Sequence, residues 1–272
     1  MKMLFTGYLF SNLMFTHELL ATTSKNNTLI INTIGDSIST GFNSRNIGDN
    51  RDLNWGTGVA PEIDSHLKKM KTMGFIVHGY NNAKAGAKIN DFKVQIDSVI
   101  SNKADYVTIT LGANDLCSWP ANHQNQLEDF KQKFESELKR AIQLSPGIRF
   151  IISPVPNLFN LWEISRHQNQ CQHRWDLFNI CSPLLSSKRT LEERYAFTRR
   201  WEDLNNTLKE ISSKFRDQVL FAEDVVDTTF AIDHISAIDC FHPSLAGQNL
   251  LANITWVPLE SLLSSFDHTS NY

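Results

Sequence analysis

Short, apolar, β-branched runs alternate along this chain with segments of helical periodicity, and this alternation constrains the fold more than any other feature. The runs predict strands at residues 28–34, 75–77, 106–111, 148–152 and 219–221. The segments between and after them predict helices at residues 61–73, 92–100, 127–144, 191–215 and 245–263. Strand alternating with helix predicts a parallel sheet that is covered on both faces.

Composition narrows the class of protein further. With 272 residues, 41% of them hydrophobic, the chain can bury a substantial core as one domain. A net charge of -3 and the absence of any basic block argue against a nucleic-acid partner. Its longest apolar stretches are also far shorter than the roughly 20 residues that span a bilayer.

The first candidate site follows the first predicted strand, where the sequence reads Gly35-Asp36-Ser37. In open α/β sheets, ligands bind at the edge formed by the carboxyl ends of the strands. A serine there is exposed for chemistry, although a polar pair in this position can also simply cap the next helix.

A second candidate site lies near the other end of the chain, where Asp239 precedes His242 by three residues. A serine nucleophile needs a base, and that base needs a carboxylate that fixes its tautomer and stabilises the imidazolium. This loop can supply both groups; alternatively, it caps a helix and packs the histidine in the core.

Two further loops follow predicted strands. Asn114 comes after the third strand, where its side-chain amide could donate a hydrogen bond to an oxyanion. Gly86 comes after the second strand, where the lack of a side chain lets a backbone N–H approach a substrate closely. Either residue alone is also ordinary turn chemistry.

The four loops in this order resemble the sequence blocks of the GDSL/SGNH hydrolase superfamily. The resemblance implies a flavodoxin-like three-layer α/β/α fold with a central parallel sheet, formed by one domain at residues 25–272. It implies Ser37 as nucleophile, His242 as base and Asp239 as its partner. The oxyanion hole would combine the Ser37 N–H, the Gly86 N–H and the Asn114 side chain.

Further details resemble the phospholipase B group within that superfamily. They are the stretches at residues 54–58, 114–117 and 239–242, with Cys171 and Cys181. This resemblance implies hydrolysis of acyl esters of phospholipids or lysophospholipids through an acyl-enzyme on Ser37, with no metal or cofactor. The alternatives are a carbohydrate or short-chain esterase, or an acyltransferase with the same triad. The expected partners are the lipid or ester substrate and a transient membrane surface, without an obligate protein partner.

Residues 154–189 form a connection much longer than the usual 2–6 residues or so of α/β units. The segment has no clear periodicity, so we expect an irregular, cap-like insertion beside the active-site edge. Its apolar side chains either pack in the core or contact acyl chains. They include Leu158, Phe159, Leu161, Trp162, Trp175 and Phe178.

The four cysteines predict two disulfides and hence an oxidising, extracytoplasmic location. Of the three connectivities we favour Cys171–Cys181, which closes a short loop, with Cys117–Cys240. Residues 1–24 are apolar with an early lysine, which predicts a signal peptide for secretion or, alternatively, an N-terminal arm.

A zinc site is the competing interpretation of the long connection, since it holds His167, His173 and two cysteines. Their spacing fits no familiar zinc finger. The other histidines outside the Asp239 loop lie in no motif and are expected at the surface or in the core. These are His17, His66, His78, His123, His234 and His268.

Overall fold

A five-stranded parallel sheet forms the centre of the protein, in a computed structural model that describes residues 28–256. The strands are β1 (Thr28–Gly35), β2 (Ile76–Asn81), β3 (Tyr106–Thr110), β4 (Arg149–Ser153) and β5 (Val219–Phe221). Their order across the sheet is β2-β1-β3-β4-β5, and every neighbouring pair is parallel. The predicted parallel sheet is therefore confirmed.

Strand β2 differs most from its prediction, because it continues four residues beyond Val77 to Asn81. It lies at the edge of the sheet, and His78, Gly79 and Tyr80 are exposed there. An edge strand of this kind carries no continuous apolar run, so hydrophobicity alone predicts only its first residues.

Helices flank the sheet. In chain order they are α1 (His66–Thr72), α2 (Ile89–Ser101), α3 (Ala113–Leu116), α4 (Gln124–Leu144), α5 (Leu158–Ser165), α6 (Asn169–Leu177), α7 (Ser182–Leu185), α8 (Leu191–Lys214), α9 (Asp224–Asp227) and α10 (Leu245–Ile254). Short 3-10 turns are formed by Arg51–Leu53 and Ile232–His234. None of the helices within residues 28–256 is long and apolar enough to cross a membrane.

Two helix boundaries differ from the sequence prediction by more than three residues. Helix α1 begins at His66, five residues later than predicted, because the Ser65 hydroxyl caps it by accepting a hydrogen bond from the Lys68 N–H. Helix α10 ends at Ile254, short of the predicted end at residue 263.

Alternating side chains of the strands divide the interior into two cores. Phe150 and Ile152 of β4 belong to the core beneath α2, α4 and α8, whereas Ile151 belongs to the core beneath α1 and α10. This alternation follows from the period of two residues in a strand. The result is the three-layer α/β/α arrangement that the resemblance implied.

Residues 154–189 are not irregular as predicted, since they form α5, α6 and α7. These helices have only 8, 9 and 4 residues, which is too short for a clear periodic signal. Leu158, Trp162 and Trp175 from this segment are buried in the same core as Phe150.

The candidate signal peptide at residues 1–24 lies outside the described residues.

Candidate active site

Ser37 lies in the turn that follows β1, at the carboxyl edge of the sheet. The turn requires glycine at position 35, where φ is +124° and a Cβ atom would lie 1.9 Å from the Thr110 carbonyl oxygen. Gln95 of α2 holds Gly35 from both sides, accepting from its N–H at 2.6 Å and donating to its carbonyl at 2.9 Å. The turn that carries Ser37 is therefore held by the Gln95 side chain of α2 and by β3, where the Thr110 carbonyl accepts the Asp36 N–H at 2.9 Å.

A hydrogen-bonded chain connects Ser37, His242 and Asp239. The Nε2 atom of His242 lies 2.8 Å from Ser37 Oγ, and its Nδ1 atom lies 2.6 Å from Asp239 Oδ2. The other carboxylate oxygen of Asp239 accepts the N–H groups of Phe241 at 2.9 Å and of His242 at 3.0 Å. Asp239 thus fixes both the ring and the backbone of the histidine.

Asn43 is a further contact of Asp239 that the sequence analysis missed. Its Nδ2 donates to Asp239 Oδ2 at 2.6 Å, and its carbonyl accepts from the Ser236 hydroxyl at 2.6 Å. Burial would raise the pKa of Asp239, but the hydrogen bonds from His242 and Asn43 outweigh it and hold that pKa below its ordinary value. The carboxylate is therefore ionised at neutral pH and can stabilise an imidazolium.

Three donors surround the space in front of Ser37. Ser37, Gly86 and Asn114 line one cleft, and Gly86 adopts φ +78° with open space where a Cβ would lie. One N–H of the Asn114 amide donates to the Ala87 carbonyl at 3.1 Å, which orients the side chain. Among residues 28–256, the Ser37 and Gly86 N–H groups have no hydrogen-bond acceptor. The arrangement can therefore donate hydrogen bonds to an oxyanion.

Comparison with known proteins identifies the family. The family model for GDSL-like Lipase/Acylhydrolase matches residues 31–255, which include every block of this site. The chain belongs to this family. No curated protein matches the chain significantly.

Solved structures share the fold of this GDSL-family chain at low sequence identity. The structure named TesA is 15% identical with a TM-score of 0.53, covering 86% of this chain and 99% of its own. A family 3 carbohydrate esterase from Clostridium thermocellum is 14% identical with a TM-score of 0.55, covering 87% and 98%. The psychrotrophic esterase EstA from Pseudoalteromonas sp. is 14% identical with a TM-score of 0.51, covering 88% and 100%.

Two clefts meet at Ser37 of this GDSL-family protein. One is narrow and apolar, with Leu158, Leu161, Phe230 and Ile235 in its walls. The other is wider, more open and more polar, and Lys88, Ser118, Asn179 and Ser182 contribute to it. Both also contact Asn114 and His242, so a molecule that reaches the serine can extend an apolar group into the first cleft and a polar group into the second.

Two buried carboxyl groups lie behind the site. Burial raises the pKa of Asp36 to about 7, against the lowering effect of the Ile38 N–H that its Oδ1 accepts. Burial likewise raises the pKa of Asp115 to about 7, although Asp115 accepts the Ile89 N–H at the start of α2. Asp115 thereby connects the loop of Asn114 to α2.

The cysteine pairing predicted from the sequence is wrong. The bridges are Cys117–Cys181 and Cys171–Cys240, which span 64 and 69 residues. Each bridge joins one loop of the site to the segment 154–189, rather than joining the two loops directly. Cysteines in disulfides are not available as thiolates, so the zinc interpretation of Cys171 and Cys181 fails as well.

The remaining histidines differ in their surroundings. His66 is fully buried, as expected of a core histidine. Its Nδ1 forms a hydrogen bond with the Tyr106 hydroxyl at 2.7 Å, and its Nε2 forms one with Thr255 Oγ1 at 2.9 Å. His234, in contrast, lines the apolar pocket beside Phe230. No motif marks Asn43, Gln95 or His234, and only the folded structure reveals that they lie beside the site.

Proposed function

We propose that this protein is a serine esterase with Ser37 as nucleophile, His242 as general base and Asp239 as the partner of the base. The hydrogen-bonded chain, with distances of 2.8 Å and 2.6 Å, is the observation that carries this proposal. The rings of Phe42 and Phe241 flank His242 at centroid distances of 5.0 Å, which limits the freedom of the imidazole.

The reaction proceeds in two steps. Ser37 Oγ attacks the ester carbonyl carbon as His242 takes its proton, and the negative oxygen accepts hydrogen bonds from Ser37 N–H, Gly86 N–H and Asn114 Nδ2. His242 then returns the proton to the departing alcohol, leaving an acyl group on Ser37. A water activated by His242 attacks this acyl-enzyme and releases the acid and free serine.

The proposed substrates are acyl esters of phospholipids or lysophospholipids. The acyl chain would enter the apolar pocket of Leu158, Leu161 and Phe230, and the headgroup would occupy the open polar cleft. The exposed Lys88 lies in that cleft, and a lysine ammonium is a suitable contact for a phosphate.

Paired substrates test this assignment. Lys88→Gln should lower kcat/KM several-fold for an anionic lysophospholipid and leave it unchanged for a monoacylglycerol with the same acyl chain. Equal kcat/KM values of wild type and variant for the lysophospholipid would contradict a phosphate contact at Lys88. No turnover of any lipid by an enzyme active on short-chain esters would contradict the lipid substrate itself.

Short-chain or carbohydrate esters are the second candidate, because the apolar pocket is narrow. A series of nitrophenyl esters from acetyl to dodecanoyl separates the two candidates. A maximum of kcat/KM at acetyl would favour the second candidate, and a maximum at long chains would favour lipids. Adding an acceptor alcohol and analysing the products shows whether acyl transfer competes with hydrolysis.

We also propose that residues 154–189 form a cap that contacts a lipid surface. Leu177 and Phe178 are 62% and 66% exposed and directly precede Asn179 and Ile180, which line the open cleft. Leu177→Ser with Phe178→Ser should therefore weaken binding to phospholipid vesicles and leave soluble ester hydrolysis unchanged. Leu144→Ser is the matched control. Leu144 is 61% exposed at the end of α4, near the amino end of β4 and therefore away from the carboxyl ends of the strands, where Ser37 lies. Vesicle sedimentation that is equal for all variants would contradict this contact.

The two disulfides support an oxidising compartment, and we propose that the protein acts outside the cytoplasm.

A further inference from the structure

Helix α6 contacts the loop of Asp239 and His242 in three different ways. The indole Nε1 of Trp175 donates to the Cys240 carbonyl at 3.1 Å. Cys171 is joined to Cys240 by a disulfide, and the Arg174 guanidinium donates to the Ala237 carbonyl. The partners of these three contacts are Ala237 and Cys240, which precede His242 by five and two residues.

This region of the loop has a strained backbone at Cys240. Cys240 lies between Asp239 and His242 and adopts φ +57°, a left-handed conformation that costs a non-glycine residue about 1 kcal/mol or more. Within the loop, the Ser236 N–H donates to the His242 carbonyl at 2.8 Å, and the Ser236 carbonyl accepts the Cys240 N–H at 2.8 Å. A strained backbone persists only where surrounding contacts determine it.

Helix α6 is itself a firm support. Trp175 is fully buried among the core residues, and Cys171 is 1% exposed. The Gln172 side chain donates to the Leu185 carbonyl at 3.0 Å, which connects α6 to α7. Movement of α6 would therefore disturb the core, and the loop takes its position from the core through this helix.

We propose that α6 is a positioning element of the catalytic base. Arg174, Trp175 and the Cys171–Cys240 bridge hold residues 237–240 so that His242 Nε2 stays within hydrogen-bond distance of Ser37 Oγ. These residues do not touch substrate and act only through the loop. This inference rests on the proposed esterase function, because it assigns a role in the same reaction.

Arg174 offers the cleanest test, since it is half-buried and can be replaced without opening the core. A displacement of about 1 Å at reacting groups can cost on the order of 100-fold in rate, so Arg174→Ala should lower kcat by about 10- to 100-fold. KM should change less than about twofold, because the substrate contacts remain. Arg174→Lys keeps a donor for the Ala237 carbonyl and should restore most of kcat. His173→Ala, on the exposed side of the same helix, is the matched control and should equal wild type.

The double variant Cys171→Ala/Cys240→Ala tests the disulfide contact. It should also lower kcat, and combining it with Arg174→Ala should give a loss that differs from the product of the two separate losses, because both act on one loop. Unchanged kcat per folded molecule in both variants, even with a lower Tm, would overturn the positioning role and leave a purely structural one. An inactive wild-type protein whose Ser37 is not labelled by a fluorophosphonate would instead overturn the esterase, and with it this inference.

Discussion

Asp239 is bound by four donors, and this density of contacts makes its substitution severe. They are His242 Nδ1, Asn43 Nδ2 and the N–H groups of Phe241 and His242. Asp239→Asn should lower kcat on the order of 10⁴-fold, because the amide favours the wrong histidine tautomer and cannot balance an imidazolium. Asp233→Asn is an exposed control nearby and should keep full activity in the same ester assay. A loss below about tenfold for Asp239→Asn would contradict its role.

Asn114 has one structural and one proposed catalytic hydrogen bond. Asn114→Ala should lower kcat on the order of 10²- to 10³-fold with a small change in KM, because an oxyanion donor acts in the transition state. The lost bond to the Ala87 carbonyl should cost about 1 kcal/mol of stability. If Asn114 only orders the turn, Tm falls and kcat per folded molecule stays near that of wild type.

Asp36 makes stability depend on pH. Its pKa is about 7 in the folded protein, against about 4 in an unfolded chain, so the folded state holds a proton that the unfolded state lacks between these values. The contribution of Asp36 to the stability of the folded protein is therefore fully present below about pH 4 and is lost as the pH rises through about 7. The free energy of unfolding of Asp36→Asn, relative to that of wild type, should therefore rise by up to about 3 kcal/mol from pH 5 to pH 8. Urea unfolding of both proteins at pH 5 and pH 8 measures this change. The same difference in free energy of unfolding at both pH values would contradict the prediction.

At the scale of secondary-structure elements, those with a clear hydrophobic period were predicted well. Short elements were not. Strand β5 was predicted with its observed bounds, and α4 carries its buried residues Phe130, Phe134 and Leu138 four positions apart, as a helix with one apolar face requires. Helices α5, α6 and α7 were missed because a few turns of helix give no reliable period. Their tertiary contacts, rather than local propensity, stabilise them.

The apolar pocket has a wall that belongs to one element, α5. Leu161→Ala should widen the pocket and raise the ratio of kcat/KM for long over acetyl esters, while lowering stability by about 2–5 kcal/mol. Leu184→Ala is a matched control, because Leu184 is fully buried in α7 outside this pocket and should lose stability without changing the ratio. An unchanged ratio in Leu161→Ala would remove α5 from acyl selection.

For the whole molecule, the resemblance carried by the four loops predicted that Ser37, Asp239 and His242 meet, and they are hydrogen-bonded, whereas the contact of Asn43 with Asp239 was missed. Ser37 and His242 are 205 positions apart, and the parallel sheet brings their loops to one edge. The cysteine pairing could not be predicted in this way. Proximity in sequence favoured Cys171–Cys181, but α6 and α7 turn these two cysteines toward different loops of the site.

The two long bridges should also stabilise the molecule as a whole. Removing Cys117–Cys181 by alanine substitution should lower the free energy of unfolding by about 2–4 kcal/mol, because the bridge closes 64 residues of the unfolded chain. Chemical denaturation of wild type and of the Cys117→Ala/Cys181→Ala variant measures the effect. Equal midpoints of the two proteins would show that the bridge contributes nothing to stability.

The central claim is that Ser37 is the nucleophile of an esterase. The most direct measurement is mass spectrometry of the intact protein and its peptides after incubation with a fluorophosphonate, on wild type and Ser37→Ala. We expect one adduct on the peptide that contains Ser37, loss of ester hydrolysis in proportion to labelling, and neither adduct nor turnover in Ser37→Ala. An adduct on another residue, or full hydrolysis by folded Ser37→Ala, would contradict the claim.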